Sequence, residues 1–426
     1  MQYEKHTLRN GLRVIVVPMK NNQSVIFQIF VKTGAKNENK NINGISHFLE
    51  HLVFKGTKKR PKPGAISKEL DRIGAENNAF TSKEITGFWV KSASKDFDIG
   101  LDVISDMVLN PIFDAKEIEK ERGVILQEIS MYEDQPASIV VRNLETMIYE
   151  GNPHAMSVSG DNETVKKISR GEILRYRRSQ YVANNMTVVV AGNIDSKGAF
   201  KKIKNVFKNL RAGDLSNLPP PKIRQKDIAI DLKTKKCDQS HLAVGVRAYG
   251  LNNEKKYALN VLAVILGGNM SSRLYTEIRE KRGLAYYVGA SGVQYENHGY
   301  LRMRAGVPKE KIYLVFERIA KIINDFKNKK VSKDEIHFAK ENIRGRMALA
   351  FEGSDEVADF YGEQELFGGR ILTPDEYMKK IEKVTTSDIM KVAKEIFRPE
   401  NISIAGIIPE DGKDIGPEKI KKIFFK

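Results

Sequence analysis

Gly44-Ile45-Ser46-His47-Phe48-Leu49-Glu50-His51-Leu52-Val53-Phe54-Lys55-Gly56-Thr57 decides how this chain of 426 residues is read. His47, Glu50 and His51 stand at i, i+3 and i+4, neighbouring positions on a helix, so both imidazoles can reach one metal with a carboxylate beside them. The helix is predicted from the breaker Asn43-Gly44 just before it and from Ile45, Phe48, Leu49, Leu52 and Val53, which turn an apolar side to a core. A buried histidine that only finds a hydrogen-bond partner is the plain alternative, and the rest of the chain has to decide between them.

A catalytic zinc takes three protein ligands and a water, so two histidines leave one ligand to find. Lys116 to Met131 offers Glu121 and Glu128, two helical turns apart on a face between Val124 on one side and Ile118, Ile125 and Ile129 on the other. Gly123 in the same segment would permit another backbone to approach closely. From these residues alone the two acids could also be the polar edge of a solvent-facing stripe, because Glu117 falls near the same line and basic residues adjoin it.

Composition narrows the class. The hydrophobic content of 41% supports a large core and two or three domains. Apolar runs such as Ala258 to Leu266 are too short to span a bilayer, and residues 1 to 18 lack the pattern of an export signal, so no membrane partner is expected. Cys237 is the single cysteine, which rules out an intrachain disulfide and makes cytoplasmic residence the default. The net charge of +17 is spread over lysines alternating with apolar residues, as in Phe200 to Phe207. Such spacing reads as solvated helix faces, and no nucleic-acid partner is expected.

The chain is duplicated. Lys167-Ile168-Ser169, Glu172-Ile173-Leu174 and Asn185-Met186-Thr187-Val188 align without a gap, 216 residues on, with Lys383-Val384-Thr385, Asp388-Ile389-Met390 and Asn401-Ile402-Ser403-Ile404. Lys116-Glu117-Ile118 answers Asp334-Glu335-Ile336. A proline run in Asp214 to Pro221 marks the joint, dividing the chain into a domain at 1–213, a linker at 214–226 and a domain at 227–426. A hairpin around Asn10-Gly11, strands at Val25 to Val31, Thr86 to Val90 and Met186 to Ala191, and helices at Phe97 to Leu109, Lys116 to Met131, Ile139 to Tyr149 and Lys197 to Asn209 predict an α+β fold, with mixed sheets packed by helices.

Residues 44–57, with Glu121 and Glu128 at 70 and 77 positions after His51, resemble the pitrilysin family of zinc peptidases, which includes the mitochondrial processing peptidase and insulin-degrading enzyme. The resemblance covers nearly the whole chain. It implies that His47, His51 and Glu128 bind one zinc per chain, that Glu50 is the general base, and that Glu121 orients a histidine ring or otherwise supports the site. It also implies that Arg279 and Tyr286, within Ile278 to Tyr287, hold substrate; Tyr287 is a nearby competitor, and an ordinary basic loop with a packed tyrosine is the plainer reading. Glu76 to Glu84 resembles the family's edge strand, with Asn78, Ala79 and Phe80 expected to meet an extended peptide.

In the second repeat, Tyr257 to Leu266 has no histidine or acid, so that half is expected to bind no metal, and Gly267-Gly268-Asn269 after it is read as a helix-ending turn. His6, His154, His241, His298 and His337 are dispersed, and no second cluster is expected from them. Larger relatives carry four such units closing around a chamber. The resemblance therefore implies a homodimer that cleaves unfolded peptides, with sites completed by the partner chain. A noncatalytic assembly subunit is the alternative, since the family includes members that keep the fold without the metal set.

Overall fold

A computed structural model describes residues 2–215, 218–412 and 415–425. Strands β1 (Glu4–Thr7), β2 (Arg13–Pro18), β3 (Ser24–Val31), β4 (Glu76–Thr81), β5 (Thr86–Ala93) and β6 (Met186–Gly192) make one sheet in the order β1-β2-β6-β3-β5-β4. Strands β7 (Ala229–Thr234), β8 (Ser240–Ala248), β9 (Tyr287–Gln294), β10 (Gly299–Val307) and β11 (Ile402–Ile408) make a second, in the order β7-β11-β8-β10-β9. Each sheet holds one parallel pair, β2 with β6 and β7 with β11, among antiparallel neighbours. The fold is α+β with two mixed sheets, as the sequence pattern predicts.

The duplication is visible strand by strand. Arg13, Ser24 and Met186 open β2, β3 and β6; the residues 216 positions on, Ala229, Ser240 and Ile402, open β7, β8 and β11. The expected hairpin, strands and helices of the first repeat all form, with ends shifted by a few residues. In the helix Ser196–Phe207, Ala199, Ile203 and Phe207 are buried and the lysines lie outward, the solvated-face arrangement read from the spacing.

The repeat and the compact unit divide the chain differently. One unit comprises residues 1–130, 156–219 and 348–375, and the other 131–155, 220–347 and 376–426. Each sheet therefore receives a helix from the opposite half of the sequence. In the first unit the helix Ser354–Leu366 lies on β2, β3 and β6, where Gly362 lets the backbone come so close to Phe30 that a Cβ would sit 2.2 Å from its ring. Gln28 bonds Asp359 at 2.8 Å and Lys5 pairs with Glu365 at 2.7 Å along the same contact. In the second unit the helix Pro136–Ile148 packs Leu144 and Ile148 over Gly245 of β8. Sequence periodicity shows that a helix has an apolar face without showing which sheet it covers. Of the expected linker at 214–226, Ser216 and Asn217 lie outside the described residues, and the rest has no helix or strand. Among the described residues no helix is long and apolar enough to cross a membrane.

On the other face of the first sheet, Ile45, Phe48, Leu49 and Leu52 join Val103, Ile104 and Met107, Ile118, Ile125 and Ile129, and Ile173 in one buried cluster. This core fixes the helix that carries the two histidines.

Candidate metal centre

The helix Ile45–Leu52 starts at Gly44, whose φ of +93° suits glycine and whose Cβ, if present, would stand 2.8 Å from the Ser159 carbonyl oxygen. Its first amides have no helical acceptor. Glu38 supplies one from outside: its carboxylate accepts from the Gly44 N–H at 2.7 Å, the Ser46 N–H at 2.8 Å and the Asn43 amide at 2.8 Å, and the side chain is buried. Ser46 points inward to the Tyr176 hydroxyl at 2.7 Å, which also meets Thr33 at 2.9 Å. The Arg122 guanidinium lies 5.2 Å from the Phe48 ring centre and donates to the carbonyls of Val165 and Ile168, tying the helix Ala115–Glu133 to the histidine helix.

These supports bring three donors together. His47 Nε2 and His51 Nε2 are 3.3 Å apart, and Glu128 Oε2 is 3.6 Å from each. Donors bonded to one tetrahedral zinc at about 2.0–2.2 Å stand roughly 3.3–3.6 Å from one another, so this donor set fits the ion. Burial holds His47 down to about 4 and also lowers His51, with the neighbouring His47 adding to the effect. Both rings are therefore neutral near pH 7, the form in which imidazole binds a metal.

Glu50 lies one helical turn after His47 and directly before His51. Its Oε2 accepts a 2.6 Å hydrogen bond from Thr81 Oγ1. Burial raises its carboxyl to about 7, with the Thr81 hydrogen bond opposing the shift and the charge of Glu128 adding to it. A carboxylate tuned there suits proton exchange near neutrality. Thr81 ends β4, the terminal strand of its sheet, which packs beside the histidine helix. Within β4 the Ala79 N–H is taken by the Asn78 side-chain oxygen at 2.9 Å, and Phe80 lies over Gly87 on the opposite side of the strand from Ala79 and Thr81.

Glu121 is buried, and its Oε2 pairs with Lys55 Nζ at 2.6 Å rather than with a histidine ring. The Nδ1 of His47 has no hydrogen-bond partner among the described residues. Glu121 reaches the site through its field, raising the affinity of His51 for a proton. Two local expectations are corrected: Val124 is exposed, and a Cβ on Gly123 would meet nothing within 4 Å, so no backbone approaches there. The helix turns Glu121, Ile118, Ile125 and Ile129 inward, which leaves both of those residues on the outer side.

Arg279 and Tyr286 belong to the second unit. A wide helical turn at Tyr275–Glu280 carries Arg279, whose guanidinium lies 5.2 Å from the Tyr275 ring centre and 6.0 Å from that of Tyr286. An open cleft of about 590 Å³ lined by Met270, Tyr275, Thr276 and Arg279 adjoins it. Tyr286 is 75% exposed, whereas Tyr287 bonds His241 Nδ1 at 3.0 Å with its ring against Gly306. Of the two tyrosines, Tyr286 is the one exposed to solvent, and Tyr287 is the one held by a side chain.

The helix Lys256–Gly267 of this unit is buried and carries no metal-ligating side chain, and it ends at Gly268 as its turn residues predict. The expected dispersal of the other histidines is corrected, because His154 Nε2 and His298 Nε2 are 3.2 Å apart, with His298 Nδ1 2.9 Å from the Tyr149 hydroxyl. Residues 131–155 belong to the second unit, so His154 meets a residue 144 positions later. Sequence reasoning also missed Glu38, Thr81 and Lys55. Only Glu38 left a signal, an acid shortly before a helix whose own cap is glycine.

Two histidines and a carboxylate at metal spacing, with a second carboxylate beside them on an α+β scaffold, form a candidate metal centre. Residues 13–162 match the family described as insulinase, peptidase family M16, and residues 167–343 match the peptidase M16 inactive domain. The chain is 32% identical over 407 residues to an uncharacterized zinc protease of Bacillus subtilis, across 95% of this chain and 98% of that one. It is 32% identical over 406 residues to an uncharacterized zinc protease of Rickettsia felis, across 95% and 97%. The crystal structure of a protease from Helicobacter pylori shares the fold, with a TM-score of 0.89 at 24% identity over 96% of this chain and 99% of that one. A chain of Complex III2 from Candida albicans shares it too, at 0.85 and 18% over 99% of each. This chain belongs to peptidase family M16, the pitrilysin family.

Proposed function

We propose that this chain is a zinc-dependent endopeptidase. The triangle of His47, His51 and Glu128 carries the reading, because three donors at 3.3 to 3.6 Å have the spacing and chemistry that would hold a catalytic zinc. A bound zinc ion supplies Lewis acidity toward water and the scissile carbonyl. Glu50 takes the proton of the attacking water on its carboxylate and delivers it to the departing amine. The outer edge of β4 at Asn78, Ala79 and Phe80 pairs with an extended peptide through main-chain hydrogen bonds, the peptide replacing the Asn78 side chain on the Ala79 N–H, which favours unfolded substrates. Arg279 and Tyr286 donate to peptide carbonyls and to the oxyanion. Glu121, paired with Lys55, supports the site without binding the ion. The complete donor set favours this reading over a noncatalytic assembly subunit.

We further propose a homodimer in which a chamber closes around the peptide and Arg279 and Tyr286 serve the partner's zinc. Peptide cleavage that stops on chelation and returns with one zinc per chain supports the peptidase. Zinc-independent cleavage, or no cleavage at full zinc loading, contradicts it. Mixing Glu50→Gln with Tyr286→Phe chains should restore activity, and failure to do so with subunit exchange demonstrated contradicts the trans arrangement.

A further inference from the structure

Thr81 lies outside the metal motif, yet it touches the residue assigned as base. Its backbone is fixed on one side by pairing with Thr86 across β4 and β5. The reversal beyond it is fastened by Ser82, whose N–H donates to the Ile85 carbonyl at 2.8 Å and whose hydroxyl accepts from the Ile85 N–H at 3.0 Å. Thr86 then donates from Oγ1 to the Thr33 carbonyl at 3.0 Å. A hydroxyl mounted on so constrained a strand end has a set position.

That hydroxyl makes the one hydrogen bond from protein that the Glu50 carboxylate receives among the described residues, at 2.6 Å to Oε2. A glutamate has three side-chain torsions, and a carboxylate without a partner spreads over their rotamers. With Oε2 committed to Thr81, Oε1 is presented on one bearing. Ala79 and Thr81, two positions apart, share the strand face directed at the histidine helix, and Ala79 packs against the same core as Phe48. The outer edge of this strand is the surface on which the proposed peptide would lie.

We propose that Thr81 is a positioning residue that couples the substrate strand to the base: its hydroxyl fixes the Glu50 carboxylate relative to the backbone that aligns the peptide. The proposal rests on the peptidase reading above. Aligning the peptide and aiming the base are then one constraint, because both depend on the same strand end.

The test compares Thr81→Val, which keeps the shape and removes the donor, with Thr81→Ser, which keeps the donor, and with Thr81→Ala should the valine chain fold poorly. Zinc content, kcat and KM on one peptide, and crystal structures are measured for each. The valine or alanine chain should lose about 10–100-fold in kcat, with KM and zinc content within about twofold of wild type, as expected for a misplaced catalytic group. The serine chain should stay within about threefold. In a Glu50→Gln background Thr81→Val should cost nothing further, since the two residues act as one. The structures should show Glu50 displaced in the valine chain and unmoved in the serine chain. An unmoved Glu50 in Thr81→Val, or undiminished kcat with wild type active, overturns the positioning role and leaves the peptidase intact. A zinc-loaded wild type that cleaves no peptide overturns both.

Discussion

His47 Nε2 and His51 Nε2 face each other at 3.3 Å, one helical turn apart, with Glu128 Oε2 3.6 Å from both. This spacing is what three donors to one shared ion require, and the proposed peptidase depends on it. His47→Ala, His51→Ala and Glu128→Ala should each weaken zinc binding by more than about 100-fold, since loss of an outer partner alone costs about 10–100-fold. Glu121→Ala should weaken it less. Zinc titration against a competing chelator measures the order.

Glu38 caps the histidine helix from outside it, so its loss leaves the Gly44 and Ser46 amides without their acceptor, while the Asn43 side chain keeps its 2.8 Å bond to the Ser157 carbonyl. Glu38→Ala should destabilise the metal-free protein by about 2–4 kcal/mol. Ser169→Ala, which removes an ordinary cap from the helix Arg170–Gln180, should cost only about 1 kcal/mol. Urea midpoints of the two variants decide this.

Two glycines should respond with opposite sign. Gly44→Ala meets both a φ of +93° and the Ser159 carbonyl at 2.8 Å, and should cost more than about 1 kcal/mol. Gly123→Ala fills open space in a helix interior, and should stabilise by about 0.5–1 kcal/mol. Thermal unfolding of the metal-free chains reads both.

His241 sits half-buried on β8 with Nδ1 on the Tyr287 hydroxyl, and burial lowers its pKa below the ordinary histidine value. The unfolded chain then binds the proton more readily, so the contribution of His241 to stability is complete above the unfolded pKa and is lost as pH falls through the folded one. His241→Gln should flatten the fall in stability below about pH 6.5. Denaturant midpoints of the metal-free proteins across that range test it, and an unchanged slope counts against the assignment.

Much of the centre was legible because helical spacing is short-range: His47, Glu50 and His51 are placed on one face by three and four residues of chain, and Glu121 and Glu128 by seven. The duplicated strands were legible for a similar reason, since alternation and offset are written along the backbone. Residues held by the fold across long separations were not. Thr81 meets Glu50 only because the sheet brings β4 beside the helix, and Lys55 displaces the expected histidine as the partner of Glu121. The exchange of Pro136–Ile148 and Ser354–Leu366 between units leaves no local mark, because an apolar face fits either sheet. His154 and His298 were read as dispersed for the same reason.

The peptidase assignment is tested most directly by comparing wild type with Glu50→Gln on a defined peptide mixture at equal zinc loading. Glu50→Gln keeps all three metal donors and removes the base, so it should hold the same zinc and cleave more than about 100-fold more slowly, in line with the loss of a general base. Equal cleavage by the two chains at equal zinc content would contradict the mechanism.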